Sequence, residues 1–260
     1  MNWNRHIARL GAPLLAALVA APGWAQQPAT AAPAQAAVNP VAPEAIQALK
    51  TMGTYLQTLQ RFSVTTRVTG ERVLADGQKL QHSAKAAMDV ARPNRLRARI
   101  TTPRGDRELI FNGKVAALYT PAQKYYSSAE LDDTVTGLVR RLQQRYGIEV
   151  PLADLFLWGT PDAPLDGFES AMNAGQDFVG DDLCDHYAFR QGSLDWQVWI
   201  KAGSQPLPRR LVITNRADDA RPQSVSVIEW NLKPAFKDAI FTFVPPPGAQ
   251  RVELVPLKTR

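Results

Sequence analysis

The chain is 260 residues long, 45% hydrophobic and 21% charged, with a formal net charge of +6. So mild a charge, without basic runs interleaved with stacking aromatics, argues against a nucleic-acid partner. A single cysteine, Cys184, excludes an internal disulfide, and no P-loop, dinucleotide fingerprint or GxSxG is present.

Arg5 and Arg9 precede an apolar run at residues 10–21, and the small residues of "GWA" at 23 and 25 predict signal-peptide cleavage between Ala25 and Gln26. The run falls short of the roughly 20 residues that span a bilayer, and no later stretch reaches that length. No cysteine follows the cleavage point, so the lipobox of a lipoprotein is missing. The processed protein is therefore expected to be soluble in the periplasm, without a transmembrane segment, at a charge of +4 once the two signal arginines are gone. Residues 26–43 are almost entirely Ala, Pro, Gln and Thr, which bury too little to offset their ordering entropy, and read as a disordered linker. A single domain over residues 44–260 is expected to follow.

"APEAIQALKTMGTYLQTL" carries apolar residues at 46, 49, 52, 56 and 59, the stripe of an amphipathic helix. The period then switches to two. Phe62, Val64, Thr66 and Val68 share one face of a first strand, Asp76-Gly77 is a hairpin signal, and Leu80, His82, Ala84, Ala86, Met88 and Val90 share a face of the return strand. In "RPNRLRARI" strict alternation sends Arg95, Arg97 and Arg99 to one face and Leu96, Ala98 and Ile100 to the other. "ELIFNG", "KVAALYT" and "KYYSSAEL" continue the meander.

"LDDTVTGLVRRLQQRYGI" has Leu131, Val135, Leu138, Val139, Leu142 and Tyr146 at helical spacing, acids at its head and arginines toward its tail, which suits a helix dipole. "PLADLFLW" reads as a second helical piece, extended through "GFESAMN". Strands resume with "QDFVGD", "CDHYAFRQ", "LDWQVWIK", "PRRLVITNR", "SVSVIEWNL" and "FTFVPP". The expected class is α+β, an antiparallel sheet with helices segregated to one face.

Catalytic machinery is sparse. Beyond the signal the chain holds two histidines, His82 and His186, and neither has the companion spacing of a metal site. "CDH" at 184–186 offers a thiol and an imidazole, but on a strand Asp185 points away from both, leaving no orienting third group. No catalytic residue, cofactor or metal is expected. Trp196 and Trp199 leave opposite faces of one strand, so one of them is expected either at an exposed surface or rim or at an edge covered by a loop of the same chain. The alanines at 84 and 86 leave volume on their face that a helix or a ligand has to fill. Leu152, Leu155, Phe156, Leu157 and Trp158 are apolar enough to cover it.

The ordered phrases "MGTYLQTLQRFSV", "DGQKLQ", "RPNRLR", "FNGK", "VPLADLF", "DHYAFRQ", "DWQVWI", "PLPRRLVIT" and "FTFVPPPGA" resemble a family of predicted periplasmic proteins grouped with the LolA/LolB-like lipoprotein-carrier superfamily. The resemblance runs from about Pro43 to Pro256. It implies a curved antiparallel half-barrel whose helices cover the concave face, and a non-enzymatic role as carrier, chaperone or sensor for a lipid, acyl chain or lipoprotein. On that reading Phe62, Val64, Leu80, His82, Ala84, Ala86, Met88, Leu96 and Ile100 line an apolar cavity closed by Leu155, Phe156 and Trp158. Arg95, Arg97 and Arg99 then form an outer basic face, met by water, an anionic headgroup or an acidic partner. The rival reading is a filled-core domain that serves an envelope protein complex through its outer surface.

Overall fold

Two meanders of antiparallel strands meet side by side at the middle of one sheet. A computed structural model describes residues 40–148 and 150–256; the signal and most of the linker lie outside the described residues. Helix α1 (Pro43–Thr58) leads into β1 (Arg61–Val73), β2 (Lys79–Ala91), β3 (Arg95–Thr102), β4 (Gly105–Phe111), β5 (Val115–Thr120) and β6 (Tyr125–Glu130). Helix α2 (Val135–Tyr146) and a 3-10 turn at Ala153–Phe156 follow. The second meander comprises β7 (Phe168–Val179), β8 (Asp182–Gln191), β9 (Leu194–Lys201), β10 (Pro208–Asn215) and β11 (Gln223–Asn231). A 3-10 turn at Asp238–Phe241 and a short β12 (Gln250–Arg251) complete the order.

The sheet order is β12-β6-β5-β4-β3-β2-β1-β11-β10-β9-β8-β7. Each strand pairs antiparallel with its neighbours, except that β12 lies parallel to β6. At about 4.8 Å per strand a flat sheet of this size would span roughly 50 Å. A single core nevertheless joins Phe111 and Ala116 near one edge to Tyr187 and Ala171 near the other. The sheet has to curl for that, and the face carrying both helices is its concave one.

Topology places the cover. Because β6 and β7 lie toward opposite edges, the chain between them, residues 131–167, crosses the concave face. Thr134 caps α2 by accepting from the Gly137 N–H at 3.1 Å, and Gly147 ends it in the left-handed region at φ 63°. The inward side of α2 is Val135, Leu138, Val139 and Leu142, and that of α1 is Ala45, Leu49, Met52, Gly53 and Leu56. Ala45 takes the place anticipated for Ile46, which is half-buried.

Four local expectations change. Residues 41–43, read as linker, belong to the fold: Val41 bridges Ala171 and Pro43 opens α1. "GFESAMN" is not a helical extension but the first half of β7, because pairing with β8 overrides the helix propensity of Glu, Ala and Met. "PLADLFLW" shrinks to one 3-10 turn, Ala153–Phe156. "FTFVPP" is not a strand. Its prolines supply no N–H for a ladder, and the segment instead lies across the convex face, with Phe241 buried and Phe243 against Tyr119 and Tyr126.

Candidate functional site

The concave face is filled at one end and open at the other. At the filled end Phe62, Val64, Met88 and Leu96 are buried with Val90 and Phe111 beneath α1 and α2, and Phe156 is buried in the same cluster. These side chains, placed by sequence in a cavity lining, sit in packed core. Along β2 the burial then decays while the face stays the same. Ala86 is buried, Ala84 half-buried, His82 exposed and Leu80 38% exposed. His82 thus stands outside any cavity, its ring lying over Gly70, where an added Cβ would come within 2.9 Å of it.

Between the open end and the crossover lies a recess of about 650 Å³. Its floor is Val68, Ala84, Ala86, Ile100, Leu211, Ile213, Ser224 and Ser226; its roof is Val139 and Gln143 of α2 with Ile148 and the segment 150–154. One row of the floor can be followed strand by strand, from Ala84 to Val68, then Ser226, then Leu211. A second recess of about 250 Å³ adjoins it and includes Leu155, Trp158, Trp196 and Met52. A third, of about 560 Å³, continues past Ile100, Ile148 and Val150 to Leu118 and Arg107. The three share lining residues and so lie next to one another along the concave face, together forming its trough. Of the residues expected to line a cavity, Ala84, Ala86 and Ile100 lie on the large recess, and Leu155 and Trp158 on the small one.

Ser224, Ser226 and the wall from Leu211 and Ile213 were not foreseen. Alternation in "SVSVIEW" suggests valines inward and serines outward. Ile228, opposite Thr66 and buried in the core, settles the register, and the same parity turns Ser224 and Ser226 to the concave side and Val225 and Val227 to the convex. The small, alternating side chains are the signal that could have marked this floor.

The roof is pinned at its far end. Gly53 of α1 and Gly159 of the crossover pack backbone to backbone, where a Cβ on Gly53 would lie 2.5 Å from Gly159 N. Gly159 adopts φ +79°, and Gln57 Nε2 donates to the Trp158 carbonyl at 2.6 Å. Thr136 Oγ1 donates to the Phe156 carbonyl at 3.2 Å, tying α2 to the same segment.

The convex face answers its own charge. Arg97 Nη2 lies 3.1 Å from Glu108 Oε2, and Arg99 pairs with the other oxygen of that buried carboxylate. Asp238, from the C-terminal segment, pairs with Arg95 and, at 3.0 Å, with Arg61; both arginines hold its carboxyl below the usual range. Two carboxylates thus pair with four arginines, so the row is compensated only in part and keeps net positive charge.

Cys184 and His186 share the convex face and do not meet. Cys184 is buried with Val179, Trp199 and Val212 and donates to the Asp182 carbonyl at 3.6 Å. Burial, aided by the Asp182 charge, pushes its thiol up, away from the nucleophilic thiolate. His186 stacks on Trp199 at 3.9 Å and places Nε2 2.9 Å from Gln197 Oε1. Neither tryptophan reaches the surface as expected. Trp196 is 8% exposed in the core against Phe189, Phe168 and Trp158, and Trp199 is 5% exposed beneath His186 and the Arg210 guanidinium. Cross-strand neighbours supply that cover, and a single strand's sequence does not contain them.

Among the described residues no group of three or more His, Cys, Asp or Glu is placed to hold a metal, and no helix is long and apolar enough to cross a membrane. Residues 45–255 match the family model described as predicted periplasmic protein (DUF2092). No curated protein matches the chain in sequence. An uncharacterised conserved protein from Thermus thermophilus is 12% identical, with a TM-score of 0.47 over 80% of this chain and 99% of that one. The lipoprotein LppX of Mycobacterium tuberculosis is 13% identical, with a TM-score of 0.44 over 75% and 98%. The LolA superfamily protein NE2245 of Nitrosomonas europaea is 11% identical, with a TM-score of 0.36 over 76% and 97%. These are distant likenesses of backbone course.

Proposed function

The chain belongs to the DUF2092 family of predicted periplasmic proteins, and from that premise we propose that it is a non-enzymatic periplasmic binding protein that holds the acyl chain of a lipid or lipoprotein in the concave trough. The observation that carries this reading is the recess of about 650 Å³ between the sheet and the crossover, floored by Ala84, Ala86, Val68 and Ser226. Its size lies within the about 300–1,000 Å³ typical of sites for small ligands. Small floor residues leave a volume that the chain's own side chains do not fill. An elongated apolar guest gains by desolvation along such a trough, and no protonating or nucleophilic group is needed.

The test is native mass spectrometry of gently purified protein, with titration of a fluorescent C16 fatty acid. Wild-type protein is expected to bind the probe, and Ala84→Trp, which places an indole in the recess, is expected to abolish binding while the fold is retained. Absence of bound lipid and of probe binding, with Ala84→Trp destabilising by roughly 1–3 kcal/mol as in a close-packed core, overturns the reading in favour of a filled-core interaction domain of an envelope complex. Export by signal cleavage is part of the proposal: N-terminal sequencing of the periplasmic protein is expected to begin at Gln26.

A further inference from the structure

The outer end of the trough carries positive charge that acyl binding alone does not use. Arg107 lies opposite Ile100 on the neighbouring strand, which puts it on the concave face, unlike Arg95, Arg97 and Arg99. Those three pair with two carboxylates, Asp238 and Glu108; Arg107 is exposed and makes no ion pair or hydrogen bond with any described residue. It lines the 560 Å³ recess together with Ile100, Leu118, Ile148 and Val150, and a further recess of about 460 Å³ with Arg104 and Thr120. Of the nearby acids, Glu108 is committed to Arg97 and Arg99, and Asp106 shares the outer recess without pairing to either guanidinium. The acid of the other recesses, Asp154, lines the inner two and neither of these. The outer end of the trough thus holds two guanidiniums without an ion-pair partner among the described residues, and the walls inward of them are largely apolar.

We infer that the trough selects an amphiphile with an anionic headgroup, its carboxylate or phosphate oxygens seated on Arg107 beside Arg104 and its acyl chain running inward past Ile100 and Ile148 toward Ala84. This rests on the acyl-binding reading above. A guanidinium offers a planar fork of donors to carboxylate or phosphate, and its methylene stem continues the apolar wall behind it.

The experiment compares two probes with the same C16 chain, the anionic palmitoyl-lysophosphatidylglycerol and the uncharged 1-palmitoylglycerol, by displacement of the fluorescent fatty acid below micellar concentrations, using the signal-cleaved chain. Wild-type protein is expected to favour the anionic lipid roughly fivefold at low salt, the scale of one solvent-accessible ion pair, and less at 0.5 M salt. Arg107→Gln is expected to bring the preference close to one without weakening the uncharged monoglyceride. Arg67→Gln is the control, since Arg67 is exposed on the convex face and forms no ion pair; it is expected to leave the preference intact. Equal binding of both lipids by wild type, or an equal loss in the two variants, overturns the headgroup site while acyl binding stands. Arg107-dependent binding of inorganic phosphate as tight as that of the anionic lipid also overturns it, in favour of a small-anion site. Failure of both lipids to bind wild-type protein removes the acyl reading and this one together.

Discussion

The two ends of the concave face are built from the same strands with the same alternation, yet one is solid and the other hollow. On β2, Val90 and Met88 are buried, whereas Ala84 is half-buried and Leu80 and His82 are exposed, all on one face. β3 repeats the contrast, with Leu96 buried and Ile100 only half-buried. Side-chain volume drops from Met88 to Ala86 and Ala84, and cover falls along the whole strand: α1 and the buried face of α2 press on the filled end, whereas the open end has only the rim of α2 and the segment 150–154 above it. An amphipathic strand therefore reports which face is inward, and what lies over it decides whether that face is core or site.

The largest effect expected from breaking this contrast is at the filled end. Leu96→Ala removes a fully buried side chain and is expected to cost about 2–5 kcal/mol, read as a melting-temperature drop of about 2–4 °C per kcal/mol. A cost near zero would mean the two ends pack alike. Next comes the pin of the roof. Gly159→Ala forces a Cβ onto a left-handed backbone and into the Gly53 carbonyl oxygen, for an expected loss of roughly 1–3 kcal/mol. Displacing the roof is also expected to weaken probe binding, which separates it from Leu96→Ala. Ala84→Trp is the counterpart at the open end: binding lost, with a stability change below about 1 kcal/mol in urea denaturation.

The smallest effect is titration of the outer carboxylates, which serves as a reference for binding. Hydrogen bonding from Lys201, with the charge of Arg209, holds Asp182 below the ordinary carboxylate range, and Arg190 does the same for Asp195. A depressed folded value means the ionised form is the stabilising one. That contribution is complete above about pH 4, where the unfolded carboxyl also ionises, and is lost as pH falls through the lower folded value. Between pH 7 and pH 4.5 the contribution of Asp182 to the urea midpoint is therefore expected to stay nearly constant, whereas below pH 3 wild-type protein loses stability faster than Asp182→Asn. A change in lipid binding between pH 7 and 4.5 then reports the ligand's headgroup or the trough, and not these pairs.

Much of the scaffold is legible in the residues alone. Leu49, Met52 and Leu56 of the α1 stripe, the alternations of β1 to β3 and the Asp76-Gly77 hairpin, whose Gly77 takes φ 85°, are local patterns that the chain adopts as read. Placing Arg95, Arg97 and Arg99 opposite Leu96, Ala98 and Ile100 needed only the two-residue period. Their partners were not legible, because Glu108 comes from the next strand and Asp238 from a segment 143 residues away from Arg95.

Local periodicity determined which side chains share a face, since that depends on backbone geometry within a few residues. Whether a face meets a helix, a neighbour's indole or open volume depended on pairing between distant strands. Ser224 and Ser226 became floor because Ile228 fixed the register of β11 against β1. The 150–158 segment became a roof because β6 and β7 end toward opposite edges of the sheet, leaving the connection between them no shorter way than across the concave face. Trough, paired arginines and buried tryptophans all follow from that long-range arrangement, which no window of sequence contains.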